Sequence, residues 1–272
     1  MSTADTAEVT AGDACIAVER AGMVATLVVR NPRKHNAMTL AMWRQLAAAV
    51  HALDQDDGVR VLALRGAGDK AFVSGADIGE FAQLRDGAEA VAAYDQAVAA
   101  AQDALATCGK PTVACIQGLC LGGGIGLAMA CDLRLAAQAA RLRMPAARLG
   151  LGYALDGMQR MVQLVGAAAA FDIFYTARFI GAEEALRMGL VNACFADQAF
   201  DTEVHAWLAQ IAGQAPLSLR AAKAAVRASM GQPTAQQRAT VDALVRQCFA
   251  SRDYAEGRAA FAERRAPRFH GH

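Results

Sequence analysis

Three consecutive glycines, Gly122-Gly123-Gly124, stand between the β-branched run Thr112 to Gln117 and the apolar stretch Ile125 to Ala130. Such a junction reads as strand, tight turn and helix, because only glycine bends freely enough and leaves the backbone bare. Upstream, Cys15 to Arg30 alternates and then runs β-branched, with Ala21-Gly22 as the turn of a hairpin. Thr39 is placed to cap a helix reaching Leu53, Val59 to Arg65 is a short buried strand, and an Ala-rich helix covers Gly87 to Thr107. The segment Gly66 to Asp77, rich in Gly, Ala and Ser, is too short and too punctuated to be an element, and is expected to be a loop that lets a ligand approach backbone. The order of strand, helix, strand, loop, helix, strand, glycine turn and helix argues for a layered α/β architecture.

Beyond it, Leu133 to Ala136 is a further strand and Met144 to Met158 a glycine-interrupted loop. Helices are expected over Gln159 to Val165, Ala167 to Thr176 and Ala182 to Met188, with a strand over Leu190 to Phe195. From Asp201 the pattern is helical, broken at Pro216 and at Gly231-Gln232-Pro233. The expected division is a disordered tail over 1–14, an α/β core over 15–200 and a helical oligomerisation region over 201–272. No internal repeat is visible.

The 272 residues can bury a sizeable core without disulfides. Lys and Arg number 27 against 26 Asp and Glu, which leaves no electrostatic footprint for nucleic acid or an anionic membrane. Seven cysteines with no C-x-x-C pair read as reduced, buried thiols of a cytoplasmic protein. The acidic, hydroxyl-rich start does not resemble a secretory signal, and charges or glycines interrupt every apolar run before it could span a bilayer.

The chemistry is expected at two glycine loops, Lys70 to Ile78 and Leu121 to Gly126, since each can aim a backbone N–H at one point and two such donors can hold an oxyanion. In the second, the helix after the glycines adds its dipole. Read alone, either loop is equally a plain turn. A dinucleotide fingerprint fails on spacing, because the sixth positions from Gly122 and Gly124 are Leu127 and Met129. Ser74 is not in G-x-S-x-G, and the histidines are too scattered for a metal site.

Four segments carry a resemblance. They are Asn31-Pro32-Arg33-Lys34-His35-Asn36-Ala37, Lys70 through Ile78, Ile116 through Asp132 with its G-x-x-x-G-G-G run, and Glu256 through Pro267. Together they make residues 15 to 269 similar to the crotonase superfamily, also called the enoyl-CoA hydratase/isomerase family. The resemblance implies a ββα spiral with C-terminal helices forming a trimer or dimer of trimers, and an acyl-CoA thioester as partner. It implies no cofactor beyond the coenzyme A carried by the substrate. The oxyanion donors fall on the N–H groups of Ala76 and Gly123, and adenine and pantetheine contacts on Ala76, Asp77, Ile78 and Gly79. Where relatives often carry a phosphate-reaching Lys, this chain has Gly79, and Arg33 or Lys34 is expected to supply the cation. Phe261 and Arg264 are implied to lie beside a neighbouring subunit's coenzyme A, with core packing as the plain alternative for Phe261.

The two glutamates that activate water in hydratases of this family align with Gly126 and Ala146, neither of which can move a proton. The expected reaction is therefore isomerisation, decarboxylation or other one-acid chemistry on an enolate; the rival is a non-catalytic acyl-CoA-binding protein. Asp156 is the expected acid or base if its apolar loop desolvates it, and a helix N-cap otherwise. Tyr153, Asp77 and Glu80 are weaker candidates.

Overall fold

The computed structural model describes residues 14–77, 79–80 and 87–272. The tail expected over 1–14 thus lies outside the described residues, except for Ala14.

Strands β1 (Cys15–Ala21) and β2 (Val24–Arg30) form the expected hairpin, and β2 continues in parallel to β3 (Val61–Gly66), β5 (Thr112–Ile116), β7 (Leu133–Ala137) and β10 (Ala193–Phe195). A smaller sheet runs β4 (Ala71–Val73), β6 (Leu119–Leu121), β8 (Arg141–Arg143) and β9 (Ile180–Gly181), parallel except for the β8–β9 pair. The segment expected to be wholly loop therefore contains a strand, β4, held by its neighbour β6 and not by any property of its own three residues.

Helices α1 (Leu40–Asp54), α2 (Ala88–Thr107), α3 (Gly123–Ala130), α4 (Leu155–Thr176) and α5 (Ala182–Arg187) complete the core. The chain thus advances three times through a strand of the large sheet, a strand of the small sheet and a helix: β3, β4, α2; then β5, β6, α3; then β7, β8, α4. This is the ββα spiral that the resemblance implied. Thr39 caps α1 by accepting from the Met42 N–H at 3.2 Å, as expected. The break expected between two helices is Gly166, whose φ of 75° interrupts α4.

Period-two burial decides the layers. Leu62, Leu64, Ala114, Ile116 and Ala136 face the main core with α1, α2 and α3, while Val61, Ala63, Val113, Cys115 and Leu135 face α6 (Phe200–Ala212) through Phe200, Val204, Leu208 and Ala212. Of the helical stretch beyond residue 200, α6 is accordingly a core layer. Helices α7 (Pro216–Ser229), α8 (Ala235–Phe249) and α9 (Arg252–Glu263) come after it. Asp132 anchors them: its carboxylate accepts from Thr112 and is paired with Lys223 and Arg227 of α7, each at 2.8 Å. All seven cysteines are free; Cys15, Cys108, Cys115, Cys120 and Cys131 are buried, and Cys194 and Cys248 are partly so. No helix among the described residues is long and apolar enough to cross a membrane.

Candidate active site

Parallel neighbouring strands end at the same edge of their sheet, so the loops that leave them start side by side. Because β4, β6 and β8 are such neighbours, residues 74–76, 122–123 and 144–146 emerge together. The two glycine loops do meet. A side-chain carbon on Gly75 would stand 3.9 Å from the Gly123 nitrogen, and one on Gly123 would stand 3.9 Å from the Gly75 Cα. Gly75 has φ of 106° and Gly122 of 51°, a region that side chains disfavour, so each loop turns sharply at a glycine.

Among the described residues, the local pairing leaves the two expected donors free. Met38 and Ala76 form an isolated parallel bridge in which the Met38 N–H donates to Gly75 O and the Asp77 N–H to Met38 O, so the Ala76 N–H is not consumed. The Gly122 N–H is taken by Arg143 O, and Gly123 opens α3, where first-turn N–H groups have no intrahelical partner. Trp43 of α1 backs the pair: its ring carbons lie 3.2 Å from where a Gly123 side chain would begin, and its Nε1–H donates to the Tyr94 hydroxyl at 3.0 Å. Gly124 is closed to any side chain, since a Cβ there would lie 2.3 Å from Val73 O. The first loop is tied from behind by Asn36, buried, whose amide donates to Ala67 O and Ala71 O at 3.0 and 2.7 Å.

A family model for enoyl-CoA hydratase/isomerase matches residues 19–272. The chain belongs to the enoyl-CoA hydratase/isomerase family. It is an enzyme of the crotonase superfamily. It is 36% identical over 257 residues to a crotonyl-CoA hydratase of Syntrophomonas wolfei, covering 93% of this chain and 97% of that one. A short-chain-enoyl-CoA hydratase of Clostridium acetobutylicum is 30% identical over 252 residues, covering 92% and 95%. Among solved structures, an enoyl-CoA hydratase/carnithine racemase of Magnetospirillum magneticum superposes with a TM-score of 0.88 at 38% identity, covering 94% of this chain and 96% of that one. An enoyl-CoA hydratase of Bacillus anthracis also superposes at 0.88, with 29% identity and coverage of 94% and 99%.

Asp77 is buried and structural in its bonding: its carboxylate accepts from the Gly79 N–H at 3.0 Å and from Lys34 Nζ at 2.7 and 3.0 Å. Lys34 Nζ lies 3.4 Å from where a side chain at Gly79 would start, so a cation from another loop occupies the space next to that position. Arg33 is exposed, and Ile78 lies outside the described residues. Glu80 serves as a helix partner, accepting from the Leu40 N–H at 2.8 Å. Phe261 is 87% exposed and Arg264, also exposed, ends α9 in the left-handed region, so core packing does not account for Phe261 within this chain.

Asp156 has neither of the settings expected for it. Its side chain is exposed instead of desolvated, and the cap of α4 is Ala154; Asp156 sits in the first turn, where its charge complements the helix dipole. The reason is that α4 begins at the surface, with Leu155 79% exposed. Gly126 and Ala146 are both buried. Facing Gly126 are two groups that the motifs did not single out together, Gln102 of α2 and Tyr153: a side-chain carbon on Gly126 would lie 2.5 Å from Gln102 Nε2 and 3.4 Å from the Tyr153 hydroxyl. Burial pushes the Tyr153 phenol up to about 12, against a smaller opposite pull from Arg160. Gln102 lies in an Ala-rich helix with no sequence signal to mark it.

Proposed function

We propose that the chain binds an acyl-CoA with its thioester oxygen between the N–H groups of Ala76 and Gly123, stabilises the enolate that forms there, and does not hydrate 2-enoyl-CoA at an enzymatic rate. The observation that carries this is the approach of the two glycine loops at the mouth of α3, with both donors left unconsumed. Two preorganised N–H groups and a helix N-terminus favour charge developing on a carbonyl oxygen. Hydration also needs a base for water and an acid for the α carbon, and Gly126 and Ala146 supply neither. A reaction with one proton-transfer step, such as isomerisation or protonation of the enolate left by decarboxylation, fits this chemistry better.

Lys34, Arg33 and the Ala76 to Gly79 stretch hold the coenzyme A, and Phe261 and Arg264 reach the coenzyme A of a neighbouring copy in a trimer or a dimer of trimers. Supporting this are the exposed apolar side chains Val245, Phe249 and Phe261 on the C-terminal helices. Free buried thiols favour the reducing cytoplasm.

Crotonyl-CoA hydration measured in wild type and in Gly126→Glu/Ala146→Glu tests the reading. The expected wild-type rate is far below the usual enzymatic range of about 1–10³ per second, with gain in the double variant. A first side-chain carbon at 126 would meet Gln102 Nε2 at 2.5 Å, Gln102 Cδ at 3.3 Å and the Tyr153 hydroxyl at 3.4 Å, so Gln102 must give way for Glu there, and the variant is checked for folding by circular dichroism before its rate is read. Wild-type hydration within that range overturns the proposal, and binding of acyl-CoAs without turnover of any of a panel would replace it with a non-catalytic binder. Asp156→Asn in the same panel measures what that exposed carboxylate contributes.

A further inference from the structure

The groups that face Gly126 are donors, where the resemblance to hydratases would put a carboxylate. Arg160 Nη1 donates to Gln102 Oε1 at 3.1 Å. A guanidinium can only donate, which fixes the Gln102 carboxamide with its oxygen toward Arg160 and its NH₂ toward Gly126. Beside it the Tyr153 hydroxyl is buried and, among the described residues, has no hydrogen-bond partner. Its ring is clamped: Gly157 leaves it room, a side chain there being 2.4 Å from Cε1, and Phe174 meets it edge-on at 5.8 Å. A hydroxyl taken out of water without a partner loses its hydrogen bonds and regains none, which destabilises the empty site. Two neighbouring donors, one of them uncompensated, suit an acceptor brought by a ligand.

We infer that Tyr153 Oη–H and Gln102 Nε2–H₂ form a subsite for an oxygen on the β carbon of the acyl group, so that the substrate is of the 3-oxoacyl or malonyl class. This rests on the acyl-CoA reading above. Gly126 lies three residues beyond Gly123 on α3, so the subsite lies roughly one turn, or about 5 Å, from the oxyanion position. That is within reach of a β-carbon oxygen. The Arg160 guanidinium stands behind the pair, and its second nitrogen is held by Asp103 at 2.7 Å. The polarity of the site is thus reversed: the oxygen-rich group is carried by the ligand, and the protein presents N–H and O–H.

The test is the ratio of affinities for acetoacetyl-CoA and butanoyl-CoA, which differ in the β oxygen, measured by titration calorimetry on wild type, Tyr153→Phe and Gln102→Met. The phenylalanine variant keeps the ring and removes an unpartnered hydroxyl, so it is expected to fold at least as well as wild type. The wild-type ratio should favour acetoacetyl-CoA, and each variant should reduce it by roughly 2- to 10-fold, the range for one hydrogen bond. Comparing variants removes the part of the preference that arises from enolisation at the oxyanion donors. An unchanged ratio in both folded variants overturns the subsite while leaving the acyl-CoA reading intact. Failure of both ligands to bind wild type overturns that reading and the subsite with it.

Discussion

Helices α3 and α8 solve opposite problems. Every residue of α3 from Gly124 to Ala130 is buried, whereas α8, at 15 residues nearly twice as long, buries none. The first is held by tertiary packing so tight that Gly124 admits no Cβ. The second relies on local chemistry: a capping box in which Thr234 accepts from the Gln237 N–H at 3.2 Å and the Gln237 side chain accepts from the Thr234 N–H at 2.8 Å. The difference teaches where this chain keeps its function. The helix at whose start the two glycine loops meet is locked into one position by its own fold, while the outer helices keep apolar side chains such as Phe249, 64% exposed, at the surface.

One small substitution placed in each helix should break or confirm the contrast. Gly124→Ala drives a carbon to 2.3 Å from Val73 O, and is expected to cost at least the roughly 1–3 kcal/mol typical of overpacking and to yield little folded protein. Ala239→Gly in exposed α8 should cost about 1 kcal/mol, the propensity difference alone. Equal losses in thermal denaturation would refute the distinction.

A smaller effect is expected from Val245→Asp/Phe249→Asp. Helical content by circular dichroism should stay as in wild type while sedimentation reports smaller particles. An unchanged sedimentation coefficient would show that α8 faces only water.

The smallest effect is local and pH-dependent. Arg265, and after it the Arg268 N–H, holds the Glu256 carboxyl down from its ordinary 4.5 to about 2. A depressed folded value means stabilisation that is complete above 4.5 and lost as pH falls from 4.5 to 2. Pepsin should therefore begin to cut the segment after α9 within that window while α3 stays intact, and Glu256→Gln should make cutting less dependent on pH.

Long elements with boundary signals were legible in the sequence. Thr39 marks the start of α1, Gly22 the hairpin, Gly166 the break in α4, and Pro216 the start of α7. The small sheet was not, because strands of two or three residues carry no period, and their pairing, such as Leu119 with Arg141, is decided by residues far apart in the chain. The threefold ββα advance is likewise a repeat of geometry without a repeat of letters. At the candidate site, the glycines around Ala76 and Gly123 announce themselves, since a bare backbone is written directly in residue type. Asp156 misled because a carboxylate among apolar letters looks buried, whereas exposure depends on which end of α4 meets solvent. Gln102 is invisible until α2 packs beside α3.

Residues 269–272, beyond the last helix, are fastened to the body of the protein. The N–H groups of His270 and Gly271 donate to the buried Asp253 carboxylate at 2.7 and 2.8 Å, the Arg252 N–H donates to His272 O at 2.9 Å, and Arg60 grips Phe269 O. Amides outside helices and strands ordinarily trade hydrogen with solvent almost as fast as an unfolded peptide. Those of His270 and Gly271 are tied to a group that water barely reaches, so in deuterium they should keep their protons longer than the exposed amides of the turn at Gly231, and this irregular segment should be slower to exchange than much of the surface.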